Sequence, residues 1–268
     1  MTDDQTTPSR RLLLGGALAT TALGGLGLAT AGPAAAHGTI QTYPGINGAR
    51  TYYEVNGGAG SWGYRPGFHD RLNTWLKFWN ANTPSSWGDA SRVWGYGAHY
   101  DGRYSEAHNA GRGFDLSRIY VGSNRQFFAR QDLWRNYADA DMRRNRRHYW
   151  ATSASIHYHF RNVLTYLYNA DHANHIHIDN LVSGSGNSTF STGSGAQVQH
   201  VQACCRLVWG LNTTIDGKWG SQTASHSTRV LRAAGVSSGG ITTSQAKWLA
   251  FNRATTRRGY GTQSYPSP

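Results

Sequence analysis

Apolar residues recur along this chain at two spacings, and each spacing marks a different kind of element. Phe68, Leu72, Trp75, Leu76 and Trp79 fall at i, i+4, i+7, i+8 and i+11, the single stripe of an amphipathic helix. Asn80-Ala81-Asn82-Thr83-Pro84 ends that helix, since the residue before a proline is pushed out of the helical region. Ile156, Phe160, Val163, Leu164 and Leu167 repeat the helical spacing, and Thr152, Ser153 and Ser155 stand ready to cap its start. They predict a second helix through 156–167. Asn174-His175-Ile176-His177-Ile178-Asp179 alternates instead, the period-two pattern of a half-buried strand. On such a strand His175, His177 and Asp179 share one face, and Ile176 and Ile178 the other. The stretch from His37 to about Tyr64 is rich in Gly, Tyr and Asn with little periodicity, and reads as loops with short strands.

Punctuation divides the chain further. Residues 181–195 are dominated by Gly, Ser and Thr and read as a flexible linker between a domain at 37–180 and a smaller one from 196 to about 258, with a tail at 259–268. The first residues carry Arg10-Arg11 before a Leu- and Ala-rich stretch that ends in Ala34-Ala35-Ala36. That is the pattern of a twin-arginine export signal with a cleavage site. Its glycines make it too weakly apolar for a span, which needs about 20 predominantly apolar residues. Cleavage after Ala36 leaves His37 first and 232 residues of the 268. The expected location is therefore secreted or cell wall, with no membrane partner after cleavage.

The net charge of +12 survives this cleavage, because Asp3 and Asp4 offset the two arginines. A basic exported protein meets polyanions; anionic wall polymers are the expected ones, and export argues against nucleic acid. The run Arg143-Arg144-Asn145-Arg146-Arg147 reads as a solvated face. The two cysteines, Cys204 and Cys205, are adjacent, too close in the chain for an ordinary intrachain bridge, and read as small packing residues of a helix.

Histidine supplies the candidate chemistry. His108-Asn109-Ala110-Gly111-Arg112-Gly113-Phe114-Asp115 puts an imidazole and a carboxylate seven residues apart, with glycines between them that let the backbone turn. Joined to the histidines of the 175–179 strand, this offers three N/O ligands and an open fourth position, the layout of a catalytic zinc site. His157-Tyr158-His159 lies in the predicted helix, where residues two apart do not share a face, and reads as structural. So do His69, His99, His148, His200 and His226.

His-x-x-Gly-x-Gly-x-Asp followed by His-x-x-His-x-His resembles the zinc motifs of the peptidoglycan metallopeptidases that share the fold of D-alanyl-D-alanine carboxypeptidases, with the murein endopeptidases and extensin-like domains among them. The resemblance implies His108, Asp115 and His177 as Zn2+ ligands. It implies His175 as the base that activates water, and His172 as a group that stabilises the oxyanion or assists proton transfer. The chain departs from the carboxypeptidase pattern at Glu106 and Gly113, where Ser and Ala are usual. Further on, Val198-Gln199-His200-Val201-Gln202 and Asp216-Gly217-Lys218-Trp219-Gly220-Ser221-Gln222-Thr223 resemble a three-helix peptidoglycan-binding domain. Trp219 is expected in its core.

Together these imply an α+β catalytic domain with a small antiparallel sheet carrying the metal site, plus an all-α three-helix module. The expected protein is a monomeric, zinc-dependent hydrolase of amide bonds in peptidoglycan. The alternatives are a wall-binding protein without catalysis, or a copper monooxygenase, since an N-terminal His37-Gly38-Thr39 is similar to lytic polysaccharide monooxygenases.

Overall fold

The computed structural model describes residues 39–100, 105–182, 184, 186–236 and 238–268. The expected export signal at 1–36 and His37, with the copper site it would build, lie outside the described residues. The described residues form one compact unit that mixes helices and sheet.

The sheet is larger than the small antiparallel one expected from the sequence, and it is mixed. Strands β2 (Gly45–Ile46), β3 (Ala49–Tyr53), β5 (Arg92–Gly97), β6 (Gly113–Val121), β9 (Ile176–Asp179) and β8 (Asn162–Leu164) lie side by side in that order. β7 (Asn124–Phe128) pairs with β6 as a hairpin. β3 and β5 are parallel, because helix α1 (Pro66–Asn82) carries the chain across between them, and the remaining pairs are antiparallel. β1 (Gln41–Tyr43) and β4 (Trp62–Tyr64) form a separate two-stranded ribbon.

α1 starts at Pro66, which suits the first helical position, and ends where Thr83 turns extended before Pro84. The predicted stripe is its buried face: Phe68, Leu72, Trp75, Leu76 and Trp79 are all in the core.

The second helix differs from expectation. α4 runs from Asp139 to His159 and stops at Phe160, whose backbone is extended. Val163 belongs to β8, which pairs with β9 at the end of the sheet order. Of the apolar residues that suggested helix through 167, Ile156 lies in α4 and Val163 and Leu164 in β8, while Phe160 and Leu167 lie beyond the ends of these elements; sheet pairing overrides their helical spacing. The helix starts well before Ile156: Tyr149, Trp150, Ala151, Thr152, Ser153, Ala154 and Ser155 are all fully buried within it. Small residues there let α7 (Gln245–Tyr260) approach closely: a Cβ added at Gly259 would lie 2.4 Å from the Cβ of Ala151. His157 and His159 are buried at the end of α4.

The last third of the described chain consists of α5 (Gly195–Leu207), α6 (Ser221–Ala233) and α7. Ser194 caps α5 by accepting from the Gln197 amide, Ser244 caps α7 by accepting from Lys247, and Gly261 ends α7 in a left-handed turn. Gln202 holds the Asp216–Gly217 turn, accepting from both backbone amides and donating to the Asp216 carboxylate. Cys204 and Cys205 are free and buried in α5.

Residues 181–195, expected as a flexible linker, are held at several points. Ser188 is buried and accepts from the indole of Trp248 at 2.6 Å. Phe190 sits between Trp219 and Trp248, with ring centroids 5.0 and 5.1 Å away. Arg71 and Gln245 donate to Asn187, and Gln197 donates to the Thr189 carbonyl and accepts from the Ser191 amide, so specific contacts along the Gly/Ser run fix its path.

Buried indoles join the elements. Trp75 donates to Ser155, Trp79 to Tyr260, Trp150 to Tyr166 and Trp209 to Thr255, so each large apolar ring is buried with its polar N–H satisfied. Because α7 packs on both α4 and α1, removal of residues 196–268 is expected to leave a chain that does not fold. Circular dichroism of the truncated protein checks this, and a cooperative melt like that of the full chain would show α7 to be dispensable.

His200 supplies a pH test. Its ring is buried between Ser153 Oγ and Asn252 Oδ1, at 3.0 and 2.9 Å. Burial pushes its pKa down from 6.5 to about 3, against an opposing contribution from Asn252. Below pH 6.5 the unfolded chain gains a proton that the folded chain refuses. Stability therefore falls as the pH drops from 6.5 towards 3, by about 1.4 kcal/mol per pH unit for each such group. His200→Gln is expected to flatten the profile by about one such increment, read by urea unfolding between pH 7 and 4.5. An unchanged slope would refute this.

Candidate functional site

Asp115 and His177 are directly opposed residues of the antiparallel pair β6 and β9. Alternation sends Ile176 and Ile178 into the core, where both are fully buried, and His177 to the other face with Asp115. Close strand approach behind Asp115 depends on Gly95. The β5–β6 register shifts on both sides of this glycine, and a Cβ there would lie 2.5 Å from the Asp115 carbonyl oxygen, the sort of irregularity that re-aims a side chain.

His108 reaches the pair from α2 (Glu106–Asn109), a single turn capped by Ser105. Gly111 then turns the chain into β6 at φ +64°, in a spot where a Cβ would meet Ile40 at 2.3 Å. A Cβ at Gly113 would press on the His108 backbone amide at 3.0 Å, which accounts for glycine at that position.

His108 Nε2 is 3.2 Å from Asp115 Oδ1 and 3.3 Å from His177 Nδ1, and His177 Nδ1 is 2.9 Å from Asp115 Oδ1. Among the described residues these three alone form a group able to hold a metal ion. The other nitrogen of each imidazole is already committed. His108 Nδ1 donates to the Ala98 carbonyl, and His177 Nε2 donates to Asp179 Oδ2 at 3.1 Å. The nitrogens that remain face a carboxylate oxygen, and donor atoms so placed need a shared positive charge: a proton on His177 in the metal-free protein, or a metal ion that displaces it. Imidazoles whose second nitrogen is fixed by a carboxylate or carbonyl are the usual support of a metal centre. The residues fit a divalent metal ion.

Electrostatics agree. Burial raises the Asp115 pKa, but hydrogen bonds with His108 and His177 and the nearby His175 more than reverse this, and the carboxyl is held well below its ordinary range. Burial lowers the His177 pKa, and hydrogen bonds to Asp115 and Asp179 more than reverse that, raising it to about 9. The site draws in positive charge.

His175 and His172 flank the trio. His175 Nε2 is 3.5 Å from Asp115 Oδ1, and its Nδ1 donates to Asn174 Oδ1 at 2.6 Å. Burial lowers its pKa, so the ring is neutral with a lone pair at Nε2. His172 lies with its ring 5.0 Å from that of His175, and its Nδ1 is hydrogen-bonded to Asn169 Oδ1. Burial and then the neighbouring His175 and His177 push its pKa down to about 4. All five residues singled out in the sequence thus come together. Buried Glu54 braces the loop beneath them through Arg118 and Arg130; Arg130 also binds Asp132, whose amide donates to Ala173.

Sequence reasoning missed the supporting partners Asp179, Ala98, Asn174 and Glu54. Only Asp179 left a signal, by sharing a strand face with His177. It also missed the cleft of about 420 Å³ that opens onto His108 and Asp115, with Tyr53, Trp62, Tyr96 and Tyr100 in its walls.

No family model matches the chain, and no curated protein or solved structure matches it. No helix among the described residues is long and apolar enough to cross a membrane.

About one divalent ion is expected to bind per chain. His108→Ala, Asp115→Ala and His177→Ala should each abolish binding, whereas His175→Ala should retain it. Metal content after dialysis against zinc checks this, and equal loading of all four variants would place the ion elsewhere.

Proposed function

We propose that this chain is an exported, zinc-dependent peptidoglycan hydrolase that cleaves amide bonds of stem peptides or cross-links, held to the wall by its C-terminal helices. One observation carries the reading: two imidazoles and a carboxylate converge with their donor atoms on one point, with a neutral imidazole beside them, at the end of an aromatic cleft. The set of two nitrogens and one oxygen suits zinc. Zinc held there would supply a Lewis acid for a scissile carbonyl.

The protein's own residues would do the rest. Asp115 stays ionised at any physiological pH. His175, neutral and oriented by Asn174, presents Nε2 toward the site as a general base, a role that typically contributes about 10²–10⁴ in rate. His172 donates through Nδ1 to Asn169, which leaves only a lone pair at Nε2. That arrangement suits proton transfer better than hydrogen bonding to an oxyanion. Tyr53 and Tyr100 expose their rings at the cleft, and such rings suit the sugar and apolar side-chain surfaces of a glycopeptide. A C-terminal tether would raise enzyme concentration at an insoluble substrate, and the +12 charge favours an anionic wall.

The test is release of new amino groups from purified peptidoglycan, with and without chelator. Chelation and His177→Ala should abolish release, and His175→Ala should lower it by about 10²–10⁴ while the metal stays bound. Undiminished hydrolysis in both variants would sink the assignment. Metal bound without any release would leave a wall-binding protein, and copper in place of zinc would turn attention to His37.

A further inference from the structure

Arg143, Arg144, Arg146 and Arg147 do not simply face solvent. They line a cleft of about 470 Å³ between α4 and the end of α5, closed on its other side by Arg258 and Trp209. Five guanidinium groups from two helices thus surround one concavity. Asp139 and Asp141 pair with Arg143 and Arg144 at 3.4 and 3.1 Å, but these pairs are exposed and weak. Arg146 and Arg147 have no hydrogen-bonding or ionic partner among the described residues, so a substantial positive charge is left facing the cleft. Arg258 is fixed in place: its Nε donates to the Val208 carbonyl at 3.2 Å, its Nη1 donates to Tyr265 O at 3.2 Å, and its guanidinium stacks on Trp209 at 4.5 Å.

We propose that this cleft binds a linear phosphodiester polyanion that carries no bases. Three features define the ligand. The cationic side chains are all arginines, whose forked donors match oxyanions. They come from opposing walls, so a tetrahedral phosphate can be held from both sides at once, whereas the two oxygens of a carboxylate are filled by a single fork. Arg143 and Arg147 stand one helical turn apart, about 5–6 Å between their Cβ atoms, which suits charge repeating along a flexible chain. Bases are excluded because the cleft offers no stacking platform, and binding of single-stranded nucleic acid relies on one. Its only aromatic ring, Trp209, is 3% exposed and already covered by Arg258. The cleft is made by residues separate from the histidine cluster, so the proposal does not depend on the hydrolase reading.

The experiment measures binding of the full chain to synthetic poly(glycerol phosphate) over a series of salt concentrations. Arg146→Gln with Arg147→Gln is compared with a charge-matched control, Arg125→Gln with Arg232→Gln, both exposed and outside the cleft. The cleft variant should bind about tenfold more weakly and with a shallower salt dependence, while the control stays close to the parent. No binding by the parent, or equal loss in both variants, would overturn the site. Single-stranded DNA, polyglutamate and anionic phospholipid vesicles are run alongside, and tighter or equal binding of any of these would overturn the ligand class. Thermal midpoints should be unchanged, because neither cleft residue has a hydrogen-bonding or ionic partner to lose; if the cleft variant melts early, Arg143→Gln, on the exposed surface of the same helix, replaces it.

Discussion

Asp115 and His177 face each other across two antiparallel strands, largely removed from water, and a carboxylate and an imidazole so placed require positive charge between them. The rest of the site follows from meeting that requirement. β6 and β9 must pair in one register, since a slip of a single residue would send His177 into the core and Ile178 to the site. Gly95 lets β5 close against β6, Asp179 and the Ala98 carbonyl fix the outer nitrogens of the two histidines, and the Glu54 network braces the loop bearing His172 and His175. The strands supply rigidity, and the flanking loops supply the groups that would exchange protons.

Much of this site was legible in the sequence because its residues obey local rules. The alternation of 174–179 assigned His175 and His177 to a common face, and Gly111 and Gly113 marked the tight approach of His108 to β6. What escaped was non-local. The Ala98 carbonyl and Glu54 act through pairings between distant segments, and a backbone carbonyl or a single glutamate carries no pattern of its own.

The fold was legible to the same degree and for the same reason. α1 announced itself through a stripe of large apolar residues. α4 did not, because 149–157 is buried all round, with Ala, Ser and Thr among its large residues and no single apolar stripe, and Val163 and Leu164 beyond it belong to strand β8. The Gly/Ser run at 181–195 has a linker's composition, yet Ser188 and Phe190 hold it against Trp248. Composition reports average behaviour, whereas a few specific contacts can decide a path.

The contact of Gly259 with Ala151 carries a consequence for how this chain can change over time. A seam made from the absence of side chains is held by shape and has little apolar area to spare, so neither helix can gain a methyl group unless the other yields. The C-terminal helices therefore cannot be treated as an exchangeable cassette, whatever they bind: a replacement from another protein would bring larger residues to the seam and push α4 away from the sheet. The two parts have to be inherited together, and variation at 151 and 259 should be correlated in any lineage that keeps the fold.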